Sequence, residues 1–193
     1  QPAPPGRDLL TARDMYEITL PLRGTEHVVG NDLDADAKPL TVITGANQGG
    51  KSTLARAVAL AALTTAAGLP APAAALSLSA PAAVFTHYRR AEDATMSHGK
   101  FEEELTRMRE IVEHAVPGSL VVLNESFAAT NEREGAEVAH LRRLLEGPRL
   151  VAAPAQEHEA RRVEHRARAK RDGVSIAHLD RDARPGRQER RES

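Results

Sequence analysis

The run Thr44-Gly45-Ala46-Asn47-Gln48-Gly49-Gly50-Lys51-Ser52-Thr53 constrains this chain more than any other stretch. Gly45, Gly50, Lys51 and Ser52 fit the pattern G-x-x-x-x-G-K-[ST]. Leu40, Thr41, Val42 and Ile43, just before it, are apolar or β-branched and read as a buried strand. Residues 54–67, just after it, read as a helix. Strand, glycine loop and helix start are the setting in which the pattern carries a mechanism. Glycines let backbone N–H groups turn inward with no Cβ in the way. Those donors and the positive end of the helix make a cradle for phosphates. Lys51 adds a point charge that reaches β- and γ-phosphates, and the Ser52 hydroxyl is placed to ligate Mg²⁺. Residues 45–53 are therefore the candidate nucleotide-binding segment: Gly45, Ala46, Asn47, Gln48, Gly49, Gly50, Lys51, Ser52 and Thr53.

The chain has 193 residues, enough for one domain with a tail. Aromatic residues make up 3%, so a core of Ala, Leu and Val is expected, with less area buried per residue. Stability is then expected to lean on a partner or on further chain. Cysteine is absent, which excludes a disulfide framework and a thiolate metal site. A formal net charge of −1 excludes a polycation. No stretch approaches the roughly 18 apolar residues of a membrane span. Gln1-Pro2-Ala3-Pro4-Pro5-Gly6 has neither the basic start nor the apolar run of a signal peptide, and no initiator Met. A fragment of a longer cytoplasmic protein is expected.

Along the chain, residues 1–26 form an N-terminal segment, partly extended; its Pro-rich start favours an extended chain. Residues 9–22 take no firm assignment. His27-Val28-Val29 reads as a short strand, Gly30-Asn31-Asp32 as a turn, and residues 34–39 as a polar connection. Gly68 is the expected cap of the helix that follows the loop. Pro70, Pro72 and Pro81 fence off a loop of small residues. Residues 83–86 read as a strand and residues 87–99 as a surface loop. Phe101, Leu105, Met108, Val112 and Ala115 share one face of a predicted helix over 101–115. Leu120-Val121-Val122-Leu123 is the continuous apolar run of a buried parallel strand. Residues 134–145 read as an amphipathic helix and 150–153 as a further strand. Alternating strands and helices predict an α/β fold with a largely parallel sheet flanked by helices, over residues 27–153. Residues 154–193 form a charged segment expected to be helical or disordered.

The glycine loop needs a second strand ending in polar groups, and residues 120–125 supply one. Ligands of such sheets sit at the carboxyl ends of the strands. Glu125 is the candidate general base or water-orienting group, and with Lys51 makes the candidate catalytic pair. Asn124 stands where an Asp is usual. Its amide oxygen can accept a hydrogen bond from the water shell of Mg²⁺ but brings no charge. The histidines are scattered without metal-ligand spacing, so no zinc site is expected. Arg161, Arg162, Arg166, Arg168, Lys170 and Arg171 are diluted by Glu157, Glu159, Glu164 and Asp172 and read as a solvated face.

Taken together, these residues resemble the C-terminal ATPase domain of the MutS family, the DNA mismatch-repair and related ABC-type P-loop ATPases. Asn47 followed by Gly49-Gly50-Lys51-Ser52 is close to that family's G-P-N-M-G-G-K-S. Gly30-Asn31-Asp32 resembles its P-N-D segment. Gly99-Lys100-Phe101-Glu102-Glu103-Glu104-Leu105 resembles its signature segment, with Phe101 and Glu104 matching. Asn124-Glu125 corresponds to the D-E of Walker B, and Thr130-Asn131-Glu132-Arg133-Glu134-Gly135 to the T-S-T-x-[DE]-G that follows. The segments agree in order across residues 28–146, and the runs at 84–88 and 124–132 look most like a MutS-related branch. The chain departs in three places: Asn124, the signature Ser-Thr missing before Phe101, and Ala155-Gln156 where the family has Thr-His, with His158 displaced by two.

The resemblance implies a P-loop NTPase fold of ABC/MutS type, with ATP and Mg²⁺ as cofactors. It implies a homodimer through the ATPase face, and control of DNA binding by parts of the protein outside this chain. The three departures favour an alternative: a nucleotide-gated dimerisation module with little or no ATP turnover. A small-molecule kinase is disfavoured, because no Arg-rich lid lies between the loop helix and the Glu125 strand.

Overall fold

The computed structural model describes residues 9–46, 48–88, 100–125, 147–154 and 174–179. They form strand β1 (Leu10–Met15), the short helix α1 (Thr19–Leu22), β2 (Asn31–Asp34), β3 (Leu40–Gly45) and helix α2 (Lys51–Ala66). There follow β4 (Ala75–Leu78), β5 (Val84–Tyr88), helix α3 (Lys100–His114), β6 (Leu120–Asn124), β7 (Arg149–Ala153) and β8 (Val174–Leu179).

Five strands make one sheet in the order β5-β6-β7-β3-β8, and every pairing in it is parallel. The predicted mixed α/β architecture, a parallel sheet flanked by helices, is the one found. From β3 the chain passes through α2 to β5 at the far edge, then returns through α3 to β6. Right-handed crossovers that travel in opposite directions place their helices on opposite faces. Two separate cores record this. Leu40, Val42, Val121, Leu123, Leu150 and Ala152 pack with Met108 and Ile111 of α3. Ile43, Leu120, Val122, Val151 and Ala153 pack with α2. Alternate residues of one strand thus enter different cores, which is why β3, β6 and β7 read as unbroken apolar runs.

α2 is buried over a wider arc than one amphipathic stripe, at Leu54, Ala55, Ala57, Val58, Ala59, Ala61 and Ala62. The same core contains Leu10, Ala12 and Met15 of β1, Leu33 of β2 and Leu78 of β4. These belong to a second, antiparallel sheet in the order β2-β1-β4. The alanines of α2 suit a helix that meets both sheets. At its C-terminus Gly68 (φ +73°) is the cap expected, with Gly68 N–H bonding Thr65 C=O at 3.0 Å and Leu69 N–H bonding Thr64 C=O at 2.8 Å.

Several expectations need correction. His27-Val28-Val29 is not a strand, and Val29 is exposed; the strand is β2, on residues read as turn and polar connection. Its formation follows from pairing with β1 rather than from propensity. The Pro-fenced loop contains β4. β5 runs two residues further than predicted, so His87 lies in the sheet and is fully buried, not in a surface loop. On α3 the buried line is Glu104, Met108 and Ile111, and Leu105 is 45% exposed. The segment 154–193, expected to be helical or disordered, contributes β8, which pairs along the whole of β3. The helix predicted over 134–145 lies outside the described residues, as do Ala155, Gln156 and His158.

Candidate functional site

Parallel strands put all their carboxyl ends on one edge. Gly45, Tyr88, Asn124, Ala153 and Leu179 end β3, β5, β6, β7 and β8 there. The glycine loop leaves β3 at this edge and enters α2 at Lys51. Gly49 N–H bonds Ala46 C=O at 2.9 Å, which closes the loop into a tight turn. A Cβ on Gly49 would stand 2.7 Å from that same oxygen, so the turn admits no side chain there. Gly50, the N-cap of α2, has φ +93°, a left-handed conformation that glycine takes without cost. Among the described residues no side chain caps α2, and the first-turn N–H groups of any α-helix lack intrahelical partners.

Lys51, the first residue of α2, is only 8% exposed. Its Nζ donates to Gly45 C=O at 3.0 Å and to Ala46 C=O at 3.4 Å, so the ammonium lies over the loop's own backbone. Ser52 and Thr53 are half-buried behind it. Gln48 is exposed with φ +61°, and Asn47 lies outside the described residues. The other candidate residues sit on β6, which β7 separates from β3. Two strand spacings put the ends of β6 and β3 about 10 Å apart. Asn124 is buried, and its Oδ1 has no hydrogen-bond partner among the described residues. Glu125 is half-buried with φ +49° and is held by its N–H on Ala153 C=O at 3.0 Å. Positive φ in a non-glycine residue stores strain and recurs at functional sites. The structure thus brings the loop, Lys51, Ser52, Asn124 and Glu125 to one edge of one sheet.

Sequence reasoning missed the end of β5. His87 faces α3, where its Nε2 lies 3.3 Å from Glu104 C=O. Burial lowers its pKa from the ordinary 6.5, and the Arg107 guanidinium lowers it further. Tyr88 faces the α2 core, and its hydroxyl is buried without a hydrogen-bond partner among the described residues. The signal that could have found both is the strand pattern of residues 83–86, carried two positions further to Tyr88.

The neutral imidazole has a consequence for stability. A His whose folded pKa lies below its unfolded value leaves the unfolded chain binding more protons. Its contribution is complete above pH 6.5 and is lost as pH falls below it, with a limiting slope of about 1.4 kcal/mol per pH unit. Urea unfolding from pH 7.5 to 5 should show this decline, and His87→Gln should flatten it.

A parallel α/β sheet with a glycine loop and an acid-tipped strand on its carboxyl edge defines the class of domain. The family model described as MutS domain V matches residues 41–150, more than half of the chain. A DNA mismatch repair protein MutS from Desulforamulus reducens is 34% identical over 119 residues, covering 61% of this chain and 14% of the relative. One from Chloroflexus aurantiacus is 30% identical over 179 residues, covering 84% and 18%. Human DNA mismatch repair protein Msh3 is 33% identical over 109 residues, covering 56% and 10%. The chain belongs to the MutS family, and it spans less than a fifth of the length of these relatives.

Proposed function

We propose that this chain is the ATP-binding, ATP-hydrolysing domain of a MutS-like protein, a P-loop NTPase whose nucleotide state governs DNA binding elsewhere in the protein. One observation carries the reading: the closed glycine turn at Gly49 runs into α2 with Lys51 folded, nearly buried, over its carbonyls. A turn that admits no Cβ and a buried ammonium fit a phosphate chain. The partnerless Oδ1 of Asn124 fits a water of hydrated Mg²⁺. On this reading residues 45–53 hold the phosphates, Ser52 the metal, and Glu125 orients or deprotonates water. Bound Mg²⁺ would supply neutralisation of phosphate charge. The strand order is consistent with the reading, since β3 and β6 end at the carboxyl edge, where ligands of parallel sheets bind. The DNA role, the mismatch-repair context and a homodimer rest on family membership. No helix among the described residues is long and apolar enough to cross a membrane.

The second reading is a nucleotide-gated module with little turnover. Asn124 favours it, being a neutral amide at the strand end where a charged group would hold metal more tightly.

Calorimetric titration with ATP tests the proposal. The wild-type chain should bind, and Gly49→Ala should lose at least about tenfold in affinity, because its Cβ meets backbone that cannot swing aside. An absence of binding by the wild type would overturn the reading.

A further inference from the structure

The last of the described strands ends against the first glycine of the loop. β8 runs beside β3 over its whole length, and the register closes with Leu179 paired to Gly45. On the other flank β7 pairs β3 only from Leu40 to Val42. Among the described strands, β8 is therefore the neighbour of residues 43–45, the stretch that leads into the loop. Gly45 has φ +145°, a conformation that glycine takes without a Cβ penalty. A Cβ there would stand 3.0 Å from the Leu179 carbonyl oxygen and 3.1 Å from the Leu179 Cβ, so a side chain at this position would push β8 away. The Leu179 side chain is half-buried against the α2 core, which seats the strand end.

Gly45 also carries the carbonyl that receives Lys51, whose Nζ donates to it at 3.0 Å in a buried hydrogen bond. One residue is thus held from two sides, by β8 against its α-carbon and by the ammonium at its oxygen. With the peptide planar, the direction of that oxygen follows the dihedrals of Gly45, and a glycine's dihedrals are the softest of any residue. A strand packed against Gly45 removes that freedom.

We propose that β8, through Leu179, braces the glycine loop: it fixes Gly45 so that the Gly45 carbonyl keeps the Lys51 ammonium in position for the phosphates. Leu179 is then a positioning residue of the nucleotide site, acting through Gly45 and Lys51 rather than by contact with the ligand. This rests on the reading of the glycine loop as a nucleotide site. The effect is reciprocal by linkage: a seated β8 favours nucleotide, and bound nucleotide seats β8.

Two measurements test it. The first is a double-mutant cycle read by calorimetric titration with ATP. Leu179→Gly removes the side chain that seats the strand end, and it should weaken ATP binding about fivefold. The same substitution in Lys51→Ala should leave the residual affinity unchanged, because the ammonium it acts through is gone. Equal losses in both backgrounds would overturn the proposal, since a strand that merely supports the fold weakens both alike. No loss in the wild-type background would overturn it too. The second measurement keeps Leu179. Amide hydrogen exchange of the wild-type chain is followed with and without a saturating non-hydrolysable ATP analogue. Nucleotide should slow exchange in residues 174–179 about fivefold more than in β5, the opposite edge strand. Equal slowing of the two strands would overturn the proposal even if Leu179→Gly failed to fold. Failure of the underlying reading is separately visible: the wild type would not bind ATP, and the proposal would fall with it.

Discussion

Lys51→Ala is expected to weaken ATP binding about a hundredfold, which is about 2.7 kcal/mol. The magnitude follows from where the ammonium sits. Lys51 is nearly buried, and its Nζ spans the loop carbonyls of Gly45 and Ala46. A charged donor there meets phosphate oxygens with little solvent between, and hydrogen bonds to charged groups are worth about 1.5–3 kcal/mol each. Folding should change much less. Ala46 is exposed, so water can reach its carbonyl once the side chain is gone. A shift in unfolding free energy of about 1 kcal/mol or less is expected. The split between the two effects is the test: calorimetry should report the large loss while urea unfolding reports the small one. Lys51→Arg should not restore binding, because a planar fork cannot take the place of a compact ammonium on a narrow loop. Equal affinity in Lys51→Ala and wild type would remove the glycine loop from the phosphate site.

The parts of this fold that were legible are those where one residue pattern has one physical solution. Residues 40–43, 120–123 and 150–153 are apolar on both faces because helices cover both faces of the sheet. α2 announced itself through the glycine loop before it and Gly68 after it. The antiparallel sheet was not legible. β2 is Asn-Asp-Leu-Asp, a sequence that avoids strands on propensity, and only Leu33 enters the core. Its conformation is imposed by β1, a partner fixed by tertiary contact rather than by local sequence. β8 was hidden likewise, because the partner that makes residues 174–179 a strand is β3, far back in the chain.

The candidate site divides along the same line. The glycine loop and residues 124–125 could be found from spacing, because loop chemistry and strand ends are local. Leu179 could not. Its place beside Gly45 depends on the β3–β8 register, which no local pattern encodes. Glu104 shows the converse error. A stripe chosen by apolarity runs through Leu105, yet the buried line runs through Glu104, whose Oε2 has no partner among the described residues.

Glu125→Gln is expected to lower phosphate release from ATP by at least about a hundredfold while leaving ATP affinity nearly unchanged. Glu125 ends β6 with its backbone in a left-handed conformation, fixed by one hydrogen bond to Ala153. Glutamine keeps the length and can keep that backbone bond. It removes the carboxylate that would accept a proton or orient the attacking water. An isosteric change that acts on turnover but not on binding assigns Glu125 to the reaction rather than to the fold. The same assay decides between the two readings of the domain. If wild type hydrolyses ATP and Glu125→Gln does not, the domain is an ATPase. If both show equal, near-zero release in a dimeric, ATP-bound sample, the nucleotide serves as a clasp. Asn124→Asp then separates the reasons for slow turnover. A charged oxygen at the buried position of Asn124 should tighten Mg²⁺ and raise release if the neutral amide is what holds the rate down. No change in rate would place the deficit outside β6.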